Sequence, residues 1–223
     1  MGGNEICVDV CDECNHYFGT SEKGLPSIDL VVREILESYR LFGTDYYDKN
    51  NLPKKSFFFH YNYEKKRVKL KDSFRDATIT SQFKKGLYEL FLQKYHAKTF
   101  DGNNQIWDFV RSYARYGTRV ILREPHVYYA FNNVTLFPAD KHVNIVPMSD
   151  KLMEDALKYG VFHCFLMGQN FYLEVLPHLF QQYGRAYLQN EANTMLLPVK
   201  GNECIFEFTS IRQLDPFMTR YNS

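Results

Sequence analysis

The sequence of 223 residues has little that would mark it as a membrane, secreted or disordered chain. No apolar run approaches the roughly 18 residues that a membrane-spanning helix requires, and Met1 to Glu5 lack the basic and apolar regions of a secretory signal. Glycine and proline are sparse, at 12 and 8 residues, which excludes collagen-like and low-complexity architectures. We therefore expect an intracellular, cytoplasmic globular protein with no membrane partner.

The chain also lacks an overall charge of one sign. It has 27 Lys and Arg against 26 Asp and Glu, so attraction to nucleic acid can come only from local clusters. Residues 1–37 carry eight acids against Lys23 and Arg33, whereas residues 54–71 carry seven basic residues and one acid, Glu64. Six basic residues of the second stretch are candidate nucleic-acid ligands: Lys54, Lys55, Lys65, Lys66, Arg67 and Lys69.

Tryptophan occurs once, but 17 Tyr and 19 Phe indicate a β-rich portion with wide buried faces. A hairpin is predicted from Ser56–Tyr63 and Arg67–Lys71 around the turn at Glu64. Its rings alternate with basic residues, which is compatible with stacking on bases beside phosphate-binding lysines. It is equally compatible with rings that face a core and lysines that form a solvated face, and the sequence leaves both interpretations open.

Apolar periodicity and capping signals predict the other elements of an α+β chain. The predicted helices cover 12–18, the stretch from the N-cap Ser27 to Gly43, 83–95, 106–113 with a stop at Gly117, and Asp150–Tyr159. The predicted strands are Ile6–Cys11, Arg119–Arg123, His142–Val146, Val161–Met167, Asn170–Leu176, Arg185–Leu188 and Cys204–Thr209.

Five cysteines cannot all pair within one chain, and three of them lie within the first fourteen residues. The pair Cys11-x-x-Cys14 offers two thiolates, whereas a structural Zn²⁺ takes four ligands, so the pair is half of a zinc site. Cys164 and Cys204 lie in apolar predicted strands, where the simpler interpretation is a small buried hydrophobic residue.

The sequence from Gly2 to Gly19 resembles the second half of the HNH endonuclease motif. In that family a Cys-x-x-Cys and a catalytic His precede a Gly-Gly turn, an Asn, a strand and a second Cys-x-x-Cys followed by His or Asn. The resemblance implies that Asn4 supports the metal loop and that Asn15 ligates the catalytic Mg²⁺ or Mn²⁺. It also implies that Cys11 and Cys14 bind structural Zn²⁺.

The ending Cys14-Asn-x-x-Phe-Gly19 further resembles HNH proteins with a long β-rich tail, in which segments similar to Tyr88-Glu89 and Arg111–Gly117 recur. The implied fold is the remnant of a ββα-metal motif, a helical segment and a β-rich C-terminal domain. The predicted division is 1–43 for the half-motif plus a helix, 44–117 for the basic hairpin and two helices, and 118–223 for a β-rich domain of unknown role.

The resemblance implies a metal-dependent endonuclease that hydrolyses DNA phosphodiesters, a reaction that needs a His general base and a bound cation. That His and the first cysteine pair would precede Met1. We therefore expect a truncated or inactive form, with little or no cleavage by this chain alone. An oligomer in which two chains share zinc ligands would complete the zinc site.

Other functions are compatible with parts of the sequence. A non-catalytic module that binds nucleic acid or protein, with recognition by 118–223, is the main alternative. The spacing Cys7-x-x-x-Cys11-x-x-Cys14 also matches the radical-SAM motif, but Glu13 stands where that family has an aromatic residue. A thioredoxin-like function is disfavoured because neighbouring acids would raise the thiol pKa. Three arginines either extend the basic surface or form a salt-bridged helix flank: Arg111, Arg115 and Arg119.

Overall fold

The computed structural model describes residues 12–20, 25–40, 55–62, 64–65, 67–130, 148–166, 169–194 and 205–214. The first half contains α1 (Asp12–Gly19), α2 (Ile28–Arg40), β1 (Phe59–Asn62), β2 (Arg67–Leu70), α3 (Asp76–Thr99) and α4 (Asp108–Tyr116). The second half contains β3 (Val127–Ala130), α5 (Asp150–Tyr159), β4 (Val161–Leu166), β5 (Gln169–Glu174), α6 (Pro177–Leu179), a π-helical turn (Phe180–Gly184), α7 (Arg185–Thr194) and β6 (Ile205–Glu207). The protein mixes helix and sheet, which confirms the α+β class.

The helices predicted from apolar periodicity are present. α2 begins after Ser27, whose Oγ accepts a hydrogen bond from the Leu30 N–H at 3.3 Å. α5 begins after Ser149, whose Oγ accepts one from the Leu152 N–H at 3.2 Å. Both serines are therefore N-caps. α3 is held by one buried apolar side chain per turn: Ile79, Phe83, Leu87 and Phe91.

The second half of the chain is organised around a four-stranded antiparallel sheet in the order β4-β5-β3-β6. β4 and β5 form the predicted hairpin, with Cys164 opposite Phe171. One face of the sheet packs on α3, where the rings of Phe83 and Phe171 meet edge to face at 5.6 Å. Cys164 is fully buried, as predicted, and Cys204 lies outside the described residues.

A single large core joins elements from both halves of the chain. It includes Phe18 of α1, Val31 of α2, Tyr113 of α4, Leu173 of β5 and, after β6, Leu214. A smaller core lies on the opposite face of the sheet, beneath the π-helical turn and α7. The division into three segments at 1–43, 44–117 and 118–223 stays a prediction.

The predicted strand Arg185–Leu188 is wrong, because this segment is the first turn of α7. Phe180, Tyr187 and Leu188 lie at helical spacing and together fill the smaller core. Four residues of apparent alternation cannot distinguish a strand from a helix, whereas burial of one helical face decides it.

The predicted strand Arg119–Arg123 is also wrong. Gly117–Arg119 forms a 3₁₀ turn, and the chain then bends as far as Arg123 without pairing with any strand in the described part of the protein. The strand of this region is β3, four residues further along, where Val127 and Tyr129 are buried. The apolar side chains within 119–123 predicted a strand there, but two of them, Val120 and Leu122, are exposed.

Two further predicted strands, Ile6–Cys11 and His142–Val146, lie outside the described residues. Among the helices that the structure describes, none is long and apolar enough to cross a lipid bilayer.

Candidate nucleic-acid interface

Helix α1 is the part of the HNH-like segment that the structure describes, and it matches the predicted helix over 12–18. Cys14 and Asn15 belong to this helix, but their side chains lie outside the described part, as do Asn4 and Cys11 entirely. The roles of these four residues at a metal site therefore stay predictions.

Two aromatic residues attach α1 to the rest of the protein. Phe18 is buried in the main core. Tyr17 accepts a hydrogen bond from the Lys85 ammonium of α3, at 3.1 Å between Oη and Nζ. The same Nζ lies 5.6 Å from the centre of the Tyr17 ring. Because Lys85 is buried, its charge depends on such partners, and the contact links α1 firmly to α3.

Lys85 also reaches the end of α4. Gly117 ends that helix with a φ of +63°, and a Cβ at this position would lie 3.0 Å from the Lys85 Cε. Glycine is required here by both its backbone conformation and the approach of the lysine. Lys85 thus joins three elements, α1, α3 and the end of α4, and we call this contact the Lys85 junction.

The chain continues from the Lys85 junction as an exposed stretch rich in arginine. Residues 115–123, which we call the arginine segment, contain three arginines and no acid. Arg119 and Arg123 are exposed, and the Arg115 guanidinium lies 5.3 Å from the centre of the exposed Tyr116 ring. The segment combines positive charge with exposed apolar side chains.

A buried carboxylate holds the end of the arginine segment. Glu174, at the end of β5, has no exposed surface. The Arg123 guanidinium donates two hydrogen bonds to it, one of them 2.7 Å long between Nη1 and Oε2. The backbone N–H of His126 donates a third, at 2.8 Å. The hydrogen bond from Arg123 to Glu174 raises the pKa of the guanidinium above its ordinary value.

A second acid beside the segment is held by tyrosine and lysine. The Tyr113 hydroxyl donates to Glu124 at 2.8 Å, and the Lys84 ammonium lies 3.4 Å from the same carboxylate oxygen. Tyr88 meets the Tyr113 ring edge to face at 5.1 Å and donates to the His126 carbonyl at 3.0 Å. Burial, followed by the charge of Glu124, raises the pKa of Tyr113, so this tyrosine acts as a neutral donor.

The two tyrosines come from α3 and α4, and the fold brings them together. Both hydroxyl groups donate hydrogen bonds to residues 123–126, that of Tyr113 to Glu124 and that of Tyr88 to the His126 carbonyl. Sequence reasoning missed Arg123, Glu124, His126 and Glu174 as a connected set. One signal was available: Glu174 is an isolated acid within the apolar run 171–176, and a charge buried in that way requires a partner.

The basic hairpin is present, and two of its aromatic rings face away from its exposed lysines. The register pairs His60 with Lys69 on the outer face, and Phe59 with Leu70 on the inner face. Phe58 and Phe59 are buried in the main core. These two rings therefore stabilise the hairpin and are not available to stack on bases, whereas Phe57 is exposed.

The lysines of the hairpin occupy the solvent side where they are described. Lys55, Lys65 and Lys69 are exposed. The side chains of Lys54, Lys66 and Arg67 lie outside the described part. A nucleic-acid role for these six residues stays a prediction.

Within the described ranges, no group of three or more His, Cys, Asp or Glu side chains is placed to hold a metal ion. Burial raises the pKa of the Cys164 thiol to about 11, which keeps it protonated and unsuited to bind a metal. The predicted Zn²⁺ and the predicted Mg²⁺ or Mn²⁺ thus have no complete donor set among these residues, and both stay predictions.

A comparison with known protein families, with curated proteins and with solved structures finds no match to this chain. Function must therefore be argued from the residues themselves and from the arrangement around α1 and the arginine segment.

Proposed function

We propose that this chain binds duplex DNA as a module related to HNH endonucleases, with little or no strand cleavage on its own. The observation that carries the proposal is the Lys85 junction. It places α1, to which the resemblance assigns the cation ligand Asn15, directly against the start of the arginine segment. A phosphodiester that approached α1 would therefore lie near the arginine segment.

The local charge supports binding to a polyanion even though the whole chain is nearly neutral. Two acids beside the arginine segment are engaged, Glu174 by Arg123 and Glu124 by Lys84. The exposed hairpin residues Lys65 and Lys69 add further cations. Neutralisation of phosphates by such groups releases counterions and supplies most of the affinity in non-specific DNA binding.

Shared zinc ligation by Cys11 and Cys14 of two chains, and a cytoplasmic location, are further parts of this proposal.

The first test is binding of a short labelled DNA duplex, measured by fluorescence anisotropy over a series of salt concentrations. We expect affinity to fall steeply with salt. Replacing Lys65 and Lys69 together by Gln should weaken binding several-fold and reduce the slope of log K against log salt by about 2, since about 0.9 counterions are released per contact. The matched control replaces two exposed lysines elsewhere, Lys98 and Lys158, and should change neither quantity.

Equal losses of DNA affinity in the hairpin variant and the control would show that the hairpin is not part of the DNA-binding surface. Absence of salt-dependent binding would overturn the proposal. Incubation with a plasmid and Mg²⁺ or Mn²⁺ tests the expected lack of cleavage. Efficient cutting that survives replacement of Asn15 by Ala would contradict both the predicted inactivity and the HNH assignment.

A further inference from the structure

One aromatic ring beside the hairpin, that of Phe57, faces solvent while the next two rings along the chain do not. Phe57 lies in the bend that leads into β1 and is 59% exposed, whereas Phe58 and Phe59 are buried. Its ring centre lies 5.3 Å from that of Phe58, edge to face, and 5.5 Å from that of Phe74. Part of the ring therefore packs against other rings, and the rest can contact a partner.

A carboxylate of α2 holds the bend that carries Phe57. Glu34 accepts hydrogen bonds from the backbone N–H of Phe57, at 2.7 and 2.9 Å to its two oxygens, and from that of Phe58 at 3.0 Å. The Ser56 hydroxyl donates to the same carboxylate and accepts from the N–H of Phe59 at 2.9 Å. Because these contacts fix the backbone, less conformational entropy is lost when Phe57 packs against a partner.

Three basic side chains surround this ring. Lys55 lies two residues before Phe57, and Arg75 directly follows the second ring that Phe57 contacts. Both basic residues are exposed, and neither makes an ion pair with any residue that the structure describes. The Lys71 ammonium donates to the Ser56 carbonyl at 2.8 Å, which places its charge beside the bend. We call Phe57 and these three basic residues the Phe57 surface.

The acids near the Phe57 surface leave it with a net positive charge. Glu34 is engaged by the N–H groups of the bend, and Asp76 is paired with Arg212. Asp72 is exposed, and it is one negative charge against three positive charges. A single exposed ring by itself indicates nothing, but a ring among available cations is complementary to a polyanion that carries aromatic bases.

We propose that the Phe57 surface binds an unpaired strand of DNA, with the Phe57 ring stacked on a base and the basic side chains on the neighbouring phosphates. This inference rests on the proposed DNA binding and adds a preference for a duplex with an unpaired overhang over a blunt duplex. Proteins that bind single strands combine basic side chains along the backbone with aromatic rings on which bases stack. Within an intact duplex the base faces cover one another, so an unpaired base is the better partner for Phe57.

The Phe57 surface fits DNA better than it fits an anionic membrane. Insertion of a protein segment into the bilayer interface requires a continuous apolar face. The exposed residues near Phe57 in sequence or in the fold are instead charged or polar: Lys55, Asp72, Ser73 and Arg75. A ring in such surroundings can stack on one base, but it would bury little apolar surface in lipid.

The test compares three labelled DNA molecules by fluorescence anisotropy: a blunt duplex, the same duplex with a thymidine overhang, and the same duplex with an overhang of abasic residues. The wild-type chain should bind the thymidine overhang about tenfold more tightly than the blunt duplex, as expected for one stacked base. The abasic overhang should restore little of that gain, because it keeps the phosphates and lacks the bases.

Phe57→Leu keeps an apolar side chain against Phe58 and Phe74 but removes the aromatic face. It should lose most of the preference for the thymidine overhang and bind the blunt duplex like the wild type. Phe57→Tyr should retain the preference. Phe100→Leu, which changes another exposed ring, is the matched control and should behave like the wild type.

Replacement of Lys55 and Arg75 together by Gln separates the charge from the stacking. We expect the slope of log K against log salt on the overhang duplex to fall by about 1.4, since about 0.7 counterions are released per phosphate contact on a single strand. Phe57→Leu should leave that slope unchanged. An unchanged slope in the double variant would overturn the assignment of phosphate contacts to these two residues.

The outcomes distinguish the inference from the function on which it rests. If the chain binds all three DNA molecules equally, or if Phe57→Leu equals the wild type, the stacking site is wrong and DNA binding stands. If the chain binds none of them, both are overturned. Equal binding to the three DNA molecules, together with binding to vesicles of phosphatidylcholine and phosphatidylserine that is lost in Phe57→Ser, would overturn the inference in favour of a membrane contact.

Discussion

At the scale of single residues, the most consequential pair is Arg123 with Glu174. The carboxylate has no exposed surface, whereas the guanidinium side chain is 43% exposed. Desolvation of such a carboxylate is offset only by its hydrogen bonds, from the guanidinium and from the His126 N–H. The pair thus orients the end of the arginine segment more than it adds net stability.

Replacing Arg123 by Ala should destabilise the protein by about 2 kcal/mol, because it leaves a buried charge without its main partner. Replacing Glu174 by Gln in the same chain should recover part of that loss. Urea unfolding measures both changes. Arg212→Ala, which breaks a more exposed ion pair with Asp76, is the control and should cost less than about 1 kcal/mol. Equal losses for the two arginines would show that Glu174 does not depend on Arg123.

Glu89 of α3 introduces a pH dependence of stability. Burial, followed by the charge of Asp29 on α2, raises the pKa of the Glu89 carboxyl to about 8. The folded state therefore binds its proton more tightly than the unfolded state does. The stability that this proton contributes is complete below the ordinary pKa of 4.5 and is lost as the pH rises from there to about 8.

Glu89→Gln should remove this dependence. The variant should be more stable than the wild type above pH 8, by at least about 1 kcal/mol, and close to it near pH 4.5. Urea unfolding at a series of pH values measures the difference. Glu154→Gln, on the exposed side of α5, is the control for the loss of a surface carboxylate. A flat difference for Glu89→Gln would contradict the raised pKa.

At the scale of elements, the end of α4 depends on a glycine whose conformation other residues adopt only with strain. Gly117→Ala should cost about 1–2 kcal/mol, from the positive φ and from the contact with Lys85. It should also weaken DNA binding, because it displaces the junction that positions the arginine segment. Gly19→Ala is the matched control, since a Cβ there meets only an ordinary contact at 3.7 Å. Normal DNA binding by Gly117→Ala would show that the Lys85 junction does not contribute to DNA binding.

The existence of the hairpin was predictable from the sequence, but the orientation of its two faces was not. Strand alternation predicted its existence, and the structure confirms it with β1 and β2. The same alternation did not decide which side chains face solvent, because that depends on which other elements pack against the hairpin. Ring contacts between Phe58 and Phe74, at 4.9 Å, place the aromatic side inward.

At the scale of the whole molecule, the half-motif of Cys11 and Cys14 predicts a metal-dependent association. If two chains share one zinc ion, the purified protein should contain about one zinc per two chains, because a structural zinc takes four thiolate or imidazole ligands. Sedimentation should then show a dimer that chelation dissociates. Cys14→Ser should lose both zinc and dimer, whereas Cys164→Ser serves as the control that alters a buried thiol only. Zinc-free monomers from the wild type would contradict shared ligation.

The predictable part of the fold was the part governed by local rules. α2 to α5 were found from apolar spacing and capping residues such as Ser27 and Ser149. The two wrong strands were short apolar runs, for which local spacing is ambiguous. The half-motif and its neighbouring helix were recognisable from residues close in sequence, and α1 is present.

The sequence by itself determined the class of the fold, most helices and both hairpins, because each depends on contacts within a few residues. Only the tertiary structure decided the rest. It brought Tyr17 to Lys85 and Arg123 to Glu174, pairs separated by 68 and 51 positions along the chain. It also buried Phe58 and Phe59 of the hairpin and exposed Leu122. Such choices follow from how the core is filled and from the need of each buried charge for a partner, and neither is a local property of the chain.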